Sequence, residues 1–427
     1  MEYSHPLWRT LRSLKGNQRA LVVTEPLWSV PNNLFTPFIS VYMAAIGLNG
    51  EQIGKTVSVG LAMQLVWGLL SGAITDKYGR QKMMFVFGLL SWTIPCMLWA
   101  IAQGYLYFMV AVVFNSMWQV TGNCFSCIIV EDGDTDSLVN IWTLINLTGL
   151  VAGFISPIVG LFIDRFTLVP TMRAIYIFSM VMMTIKFVLQ YYMSYESSTG
   201  KRRIKECERT PILTLTFSGW SVFISEIRKP SLLLCLVLMA LLNIFSTVQT
   251  TFWPLYVTKT YAVSNAMLSL FPLAASLTTL AVYMFVTPRI HIRSVRYPLF
   301  VGIGLHSAGI IVLLVGEPLR TNLLWIVFLS AICEAFAIAI LGPLTESMMS
   351  IVVPGEERAR INSFIFAFIL LLSTPVGWIA GALFQVNRVL PMILNLCLIV
   401  ISAILSLFVA RVVHPKVVNH AQNTNIG

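Results

Sequence analysis

Twelve stretches of about 20 mostly apolar residues divide this chain of 427 residues, and that length is what a helix needs to cross a lipid bilayer. They fall near 26–48, 52–75, 83–102, 105–130, 139–163, 168–193, 230–257, 264–287, 295–315, 322–349, 360–385 and 389–412. Hydrocarbon offers backbone amides no water, so each stretch must satisfy its own hydrogen bonds as a helix. Charged residues make up only 11% of the chain and hydrophobic ones 57%, whereas a soluble domain carries roughly 25% charged residues. A water-exposed globule is ruled out. The expected fold class is an all-α membrane protein with twelve transmembrane helices.

The connections are short, with one exception. Residues 194–229 form a basic, mixed segment between spans six and seven. The expected organisation is therefore a six-helix half at 1–193 with a cytoplasmic lead-in, a linker at 194–229, and a second half at 230–427. Within the linker, Pro211–Arg228 mixes Leu, Phe and Trp with Ser, Thr, Glu226 and Arg228, a composition suited to a helix lying on a membrane surface.

Of the 28 Lys and Arg residues, 21 lie in the two termini and in alternate loops, six lie in the intervening loops, and Lys186 sits within span six. Positive charge stays on the cytoplasmic side, so both termini are expected there, in a plasma or inner membrane. Bases scattered in this way do not suit nucleic acid. Met1–Thr24 carries four bases but no apolar core with a cleavage site, so it does not read as a secretory signal.

Six of the seven cysteines lie inside apolar stretches, where they act as small hydrophobes. Cys124-x-x-Cys127 has neither a second pair nor a neighbouring histidine, so neither a metal site nor a disulfide framework is expected. The acidic loop Glu131–Asp136 has neither the glycine nor the terminal glutamate at the spacing of a calcium-binding loop. With no phosphate-binding loop and no nucleophile–base set, neither ATP-driven pumping nor enzyme chemistry is expected. No cofactor is implied beyond a proton as coupling ion.

The turn between spans two and three, Gly72–Lys82, packs two glycines, an aspartate and three bases into one reversal. Gly79 can take a positive φ there, and Gly72 can let a neighbouring helix approach closely. Asp76 can accept hydrogen bonds at a helix start or pair with Arg80. A charged turn that merely anchors orientation is the alternative. The run Gly72-x-x-x-Asp76-Lys77-x-Gly79-Arg80-Gln81-Lys82 resembles the signature turn of the major facilitator superfamily, G-x-x-x-D-R-x-G-R-R/K, with Lys77 where that pattern has arginine.

The span count, the central loop and an echo between the halves extend the resemblance over nearly the whole chain. Phe38–Tyr42 closes span one as Phe252–Tyr256 closes span seven, and Gly160-Leu-Phe echoes Gly381-Ala-Leu-Phe. The resemblance implies two six-helix halves, a substrate site between them, and a cytoplasmic latch built on Gly72, Asp76, Gly79 and Arg80. The counterpart at Thr287–Arg296 keeps its bases but has neither glycine nor aspartate, so the expected latch is asymmetric.

Polar residues inside spans are the candidate site, because hydrocarbon makes an unpaired polar group costly. Asn115, Gln119 and Asn123 are spaced four apart, on one face of span four. Span one offers Asn33, span two Gln64 and Trp67, and span seven Asn243 and Trp253. Interhelical hydrogen bonding is the plain alternative for each. The resemblance implies that spans one, four, seven and ten line the cavity.

Glu334 lies halfway along span ten with no base within a helical turn, which marks it for proton coupling or for a buried hydrogen bond. Lys186 reads as a snorkelling lysine, and His306 as a packed neutral histidine. Glu131 and Glu346 sit near cytoplasmic ends, where gating and plain solvation both remain open.

The expected function is secondary-active, proton-coupled transport of a small neutral polar (sugar-like) or amphipathic (drug-like) solute by alternating access. A passive facilitator is the alternative, and a non-transporting solute sensor a remoter one. Ala152-x-x-x-Ser156-Pro157-x-x-Gly160 only partly matches the antiporter pattern of span five, and span four lacks the arginine of proton-linked drug exporters. Both departures weigh against an exporter.

Overall fold

The computed structural model describes residues 11–131, 138–217, 219–287, 296–317, 324–352 and 358–424, with no strand among them. Ten helices in these residues are long and apolar enough to cross a membrane. They account for every expected span except the first and the fourth, which are helical but broken. The first runs as α1 (Gly16–Thr24), α2 (Pro26–Phe35), a 3-10 turn at Thr36–Phe38 and α3 (Ile39–Ala45). Pro26, Pro31 and Pro37 account for the segmentation, since each ring removes an amide donor and crowds the preceding turn.

This helix train begins at Gly16 and not at residue 26, which corrects the edge expected from hydropathy. Residues 16–25 are too polar to register as apolar, but the fold supplies their partners. Asn17 exchanges two hydrogen bonds with the backbone of Tyr195, at 3.0 and 2.8 Å. Gln18 donates to the carbonyl of Ile129 at 3.0 Å.

Next come α4 (Gly50–Tyr78), the reversal at Gly79, α5 (Arg80–Gly88), a π turn at Leu89–Thr93 and α6 (Ile94–Ala100). The fourth span divides into α7 (Tyr105–Asn115) and α8 (Trp118–Glu131). After α9 (Leu138–Gly153), α10 (Pro157–Phe166) and α11 (Leu168–Met193) comes the linker. It is helical, as α12 (Ser198–Cys207), α13 (Ile212–Phe217) and α14 (Trp220–Ile227). The rest of the chain is α15 (Pro230–Thr260), α16 (Leu270–Phe285), α17 (Arg296–Gly316), α18 (Leu324–Val352), α19 (Arg358–Val386) and α20 (Leu390–Thr424). The loop beyond Glu131, the turn between Thr287 and Arg296, and the Glu346 side chain lie outside what is described.

Two compact units result: Met1–Leu48 with Val59–Ser218, and Asn49–Ser58 with Gly219–Gly427. In the first, Leu21, Val120, Cys124, Ile128 and Ile141 form a buried core where α1, α8 and α9 meet. A second, aromatic cluster joins Phe35, Tyr42, Trp99 and Tyr176, and the Tyr42 hydroxyl donates to the Trp99 carbonyl at 2.7 Å.

In the second unit, the opening turns of α4 lie against α19 through glycines on both sides. A side-chain carbon on Gly377 would lie 2.8 Å from the Gly54 carbonyl oxygen, and one on Gly381 would lie 2.5 Å from that of Gly50. Gly-x-x-x-Gly on each helix is what permits backbones to meet this closely. The Ser58 hydroxyl then accepts from the Trp378 amide at 2.8 Å.

Candidate functional site

The charged turn is a cluster held inside the first unit. Gly79 has φ 92° and ψ 154°, a region essentially restricted to glycine. The reversal buries Arg80 between α4 and the end of α8. Its Nη2 lies 2.9 Å from Asp76 Oδ1 and 3.0 Å from Glu131 Oε1, and its Nε lies 3.2 Å from both Glu131 oxygens. Asp76 sits in the last turn of α4, where an acid opposes the helix dipole, so it needs cations. Arg203 of α12 supplies a second one, with Nη2 2.7 Å from Asp76 Oδ2. That hydrogen bond and charge hold the Arg203 guanidinium above its usual pKa.

Of the two alternatives for Asp76, pairing with Arg80 is the one observed, while the expectation for Gly72 needs correction. Asp76 does not cap the following helix. Glu196 does, accepting from the amides of Arg80 and Gln81 at 3.0 Å each. Nor does Gly72 admit a close neighbour: nothing lies within 4 Å of the place its side chain would take. The linker is fastened here as well. Ser197 caps α12 through the Gly200 amide at 2.8 Å and hydrogen-bonds Glu131, while Lys77 Nζ donates to the Thr210 carbonyl at 2.8 Å.

The intramembrane amides fall into two groups. Asn115 donates to the Ser91 carbonyl in the π turn at 2.9 Å, Asn123 to the Thr75 hydroxyl at 3.0 Å, and Asn33 to Ser29 in its own helix at 2.9 Å. Gln119 reaches Gln64 only at 3.4 Å, long for an N–H···O bond. Trp67 packs edge-on against Phe87, with ring centroids 5.6 Å apart, and its buried indole N–H has no partner. Trp253 packs edge-on against Phe271 at 5.0 Å.

In the second unit, Glu334 of α18 and His306 of α17 meet, with Oε2 2.7 Å from Nδ1. His306 is buried, as expected, and has a partner on the adjacent helix, out of reach of any search along one helix. The pair lines a cavity of about 300 Å³ together with Asn243, Ser246 and Thr345. Asn243 itself accepts from the Ser373 hydroxyl at 2.9 Å.

A buried ionic pair lies in the first unit, away from the charged turn. Lys186 Nζ lies 2.9 Å from Glu25 Oε2, with side-chain exposures of only 6% and 8%. Lys186 therefore does not snorkel. Its ammonium points inward, about 5.5 Å from the rings of Trp28 and Phe125 and 5.6 Å from that of Phe187. Glu25 escaped the sequence reading because it precedes the first apolar stretch.

A family model described as the Major Facilitator Superfamily matches residues 29–368. The chain belongs to the major facilitator superfamily. It is a solute transporter of the multi-pass membrane kind, not an enzyme. Solved structures similar to this superfamily member include the nucleoside transporter NupG, at 12% identity over 93% of this chain and 99% of that one, with a TM-score of 0.69. A peptide transporter, POT, in complex with sulfate matches at 16% identity over 97% and 99%, with a TM-score of 0.68. The inward-open xylose transporter XylE from E. coli matches at 13% over 92% and 94%, with a TM-score of 0.66. At such identities the likeness shows the fold alone. No curated protein sequence matches the chain.

Among the described residues of this transporter, no group of three or more His, Cys, Asp or Glu could hold a metal ion. Glu25, Glu196 and the four glycines of the α4–α19 seam were missed in the sequence. Only the glycines left a readable signal there, as paired Gly-x-x-x-Gly spacings at 50–54 and 377–381.

Proposed function

We propose that this transporter moves a small neutral polar or amphipathic solute by alternating access, coupled to protons through Glu334 and His306. The observation that carries this reading is their 2.7 Å contact beside Asn243 in one cavity. A carboxylate and an imidazolium together are neutral. One proton more or less leaves a net charge in a poorly solvated site, which is costly. Proton occupancy therefore sets the charge that a solute meets.

The wall supports an uncharged solute, because Asn243, Ser246 and Thr345 offer an amide and two hydroxyls among apolar side chains. In the first unit, the long Gln64–Gln119 bond is the one a solute can compete for, whereas Asn115 and Asn123 hold shorter bonds. Similar solved structures described as nucleoside and xylose transporters fit a neutral polar cargo. The Arg80 cluster acts as the conformational latch of its end of the first unit. The bias of Lys and Arg between alternate loops supports cytoplasmic termini.

Uptake into proteoliposomes with and without an imposed pH gradient tests the reading. Coupling predicts gradient-driven accumulation that Glu334→Gln abolishes while the protein stays folded. Equal uptake under both conditions would instead mean a passive facilitator.

A further inference from the structure

The first unit contains a second cavity, of about 160 Å³, that the reading above does not use. Its walls come from α2, the π turn, α8 and α11, as Trp28, Trp92, Trp118, Phe125 and Phe187. Glu25 and Lys186 are the charged groups among its lining residues. Among the other titratable groups on the packed elements, Cys124 turns toward Thr75, Glu131 to Arg80, Tyr176 toward Tyr42, Tyr191 toward Phe85 and Arg173 to the Ala102 carbonyl. Thr121 also lines the cavity, and its buried hydroxyl has no hydrogen-bond partner. A buried hydroxyl without a partner is costly, which makes it a ready donor for a ligand oxygen.

We propose that this cavity binds a small monocarboxylate together with one proton. The Glu25–Lys186 pair is neutral as it stands, so an anion entering alone would leave an uncompensated charge among mostly apolar walls. A proton taken up by Glu25 removes that obstacle. Lys186 Nζ then exchanges the Glu25 carboxylate for that of the ligand, and the Thr121 hydroxyl donates a second hydrogen bond. Ligand and proton enter together, and the cavity stays neutral.

An ammonium ligand is the opposite case. It would pair with Glu25 only if Lys186 gave up its proton, yet three ring faces stabilise that ammonium. Size limits the ligand too, since a cavity of about 150 Å³ accommodates benzene. The ligand is therefore a carboxylate no larger than about benzoate.

Benzoate titrated into the purified full-length protein, followed by tryptophan fluorescence and by calorimetry in two buffers of different ionisation enthalpy, tests the proposal. Saturable binding with uptake of one proton per benzoate is expected. Affinity should weaken about tenfold per pH unit over the range where Glu25 is ionised. Benzylamine, which has the same ring and the opposite charge, should not bind. Glu25→Gln should bind benzoate with no proton uptake and no pH dependence, and Thr121→Val should bind several-fold more weakly.

Lys186→Met should not bind; should that variant or Glu25→Gln fail to fold, Thr121→Val and the proton uptake of the wild type still decide the matter. Glu334→Gln should leave every one of these results unchanged, which separates this site from proton coupling in the second unit. Absence of a benzoate signal in the wild type would overturn the proposal. So would binding without proton uptake, or binding of benzylamine in place of benzoate.

Discussion

The position that a side-chain carbon would take on Gly79 lies 2.7 Å from Glu196 Oε2, an oxygen that already accepts the Gln81 amide at 3.0 Å. Gly79→Ala is therefore doubly penalised. Its backbone conformation alone costs about 1–3 kcal/mol, and the added methyl displaces the carboxylate that caps α5. Thermal unfolding of the detergent-purified protein should show a lower midpoint for Gly79→Ala than for Glu196→Gln, which keeps one acceptor oxygen in place. A Gly79→Ala midpoint equal to that of the wild type would refute this account.

Burial separates the strong from the weak ion pairs around the same turn. Arg80 is 3% exposed and Glu131 14%, whereas Arg203 and Glu206 are 38% and 49% exposed. Arg80→Ala strands Glu131 and should destabilise the fold by about 3 kcal/mol, the lower end of the range for a broken buried pair. Glu206→Ala should cost at most about 1 kcal/mol. A double-mutant cycle on each pair, read by denaturant or thermal unfolding, measures the contrast.

The Glu25–Lys186 pair should show strong non-additivity in stability. Removing either partner leaves the other's charge buried, at a cost of about 3–5 kcal/mol. Removing both, as Glu25→Gln with Lys186→Met, should cost much less than the two single changes summed. Additive losses would mean that the two groups do not depend on one another.

Glu334 and His306 should behave as one unit in transport. Glu334→Gln and His306→Gln are each expected to abolish accumulation driven by a pH gradient while leaving solute exchange at equilibrium. Counterflow in proteoliposomes separates the two activities. Full gradient-driven uptake by His306→Gln would place the proton on Glu334 alone.

The fold was largely legible because lipid imposes a length and a composition on every span, and those survive in one dimension. Where polar residues begin a span, as at Asn17 and Glu25, hydropathy fails, because their partners Tyr195 and Lys186 lie far along the chain. The same limit governs the sites. Glu334 stood out as a lone acid, but the histidine that completes it is on another helix, and nothing local distinguishes a packed histidine from a paired one. Gly79 was readable because a reversal demands a positive φ. Glu196, which uses the amides that reversal exposes, was not readable, since any acid near the linker could have served. Gly72 was misjudged because a glycine permits close approach without requiring it.

The glycine seam between α4 and α19 bears on how fast such a contact can be made and broken. Most helix interfaces interlock like gear teeth, so parting them means turning side chains out of one rotamer well and into another. Here carbonyls and α-carbons face each other, and the polar bonds to release include the Trp378 amide to the Ser58 hydroxyl and the Gly50 amide to Gln385 at 3.2 Å. The surfaces can part and rejoin with few rotamers to search, those of Gln385 and Phe384 among them. A single methyl at Gly54 or Gly377 would act as a doorstop.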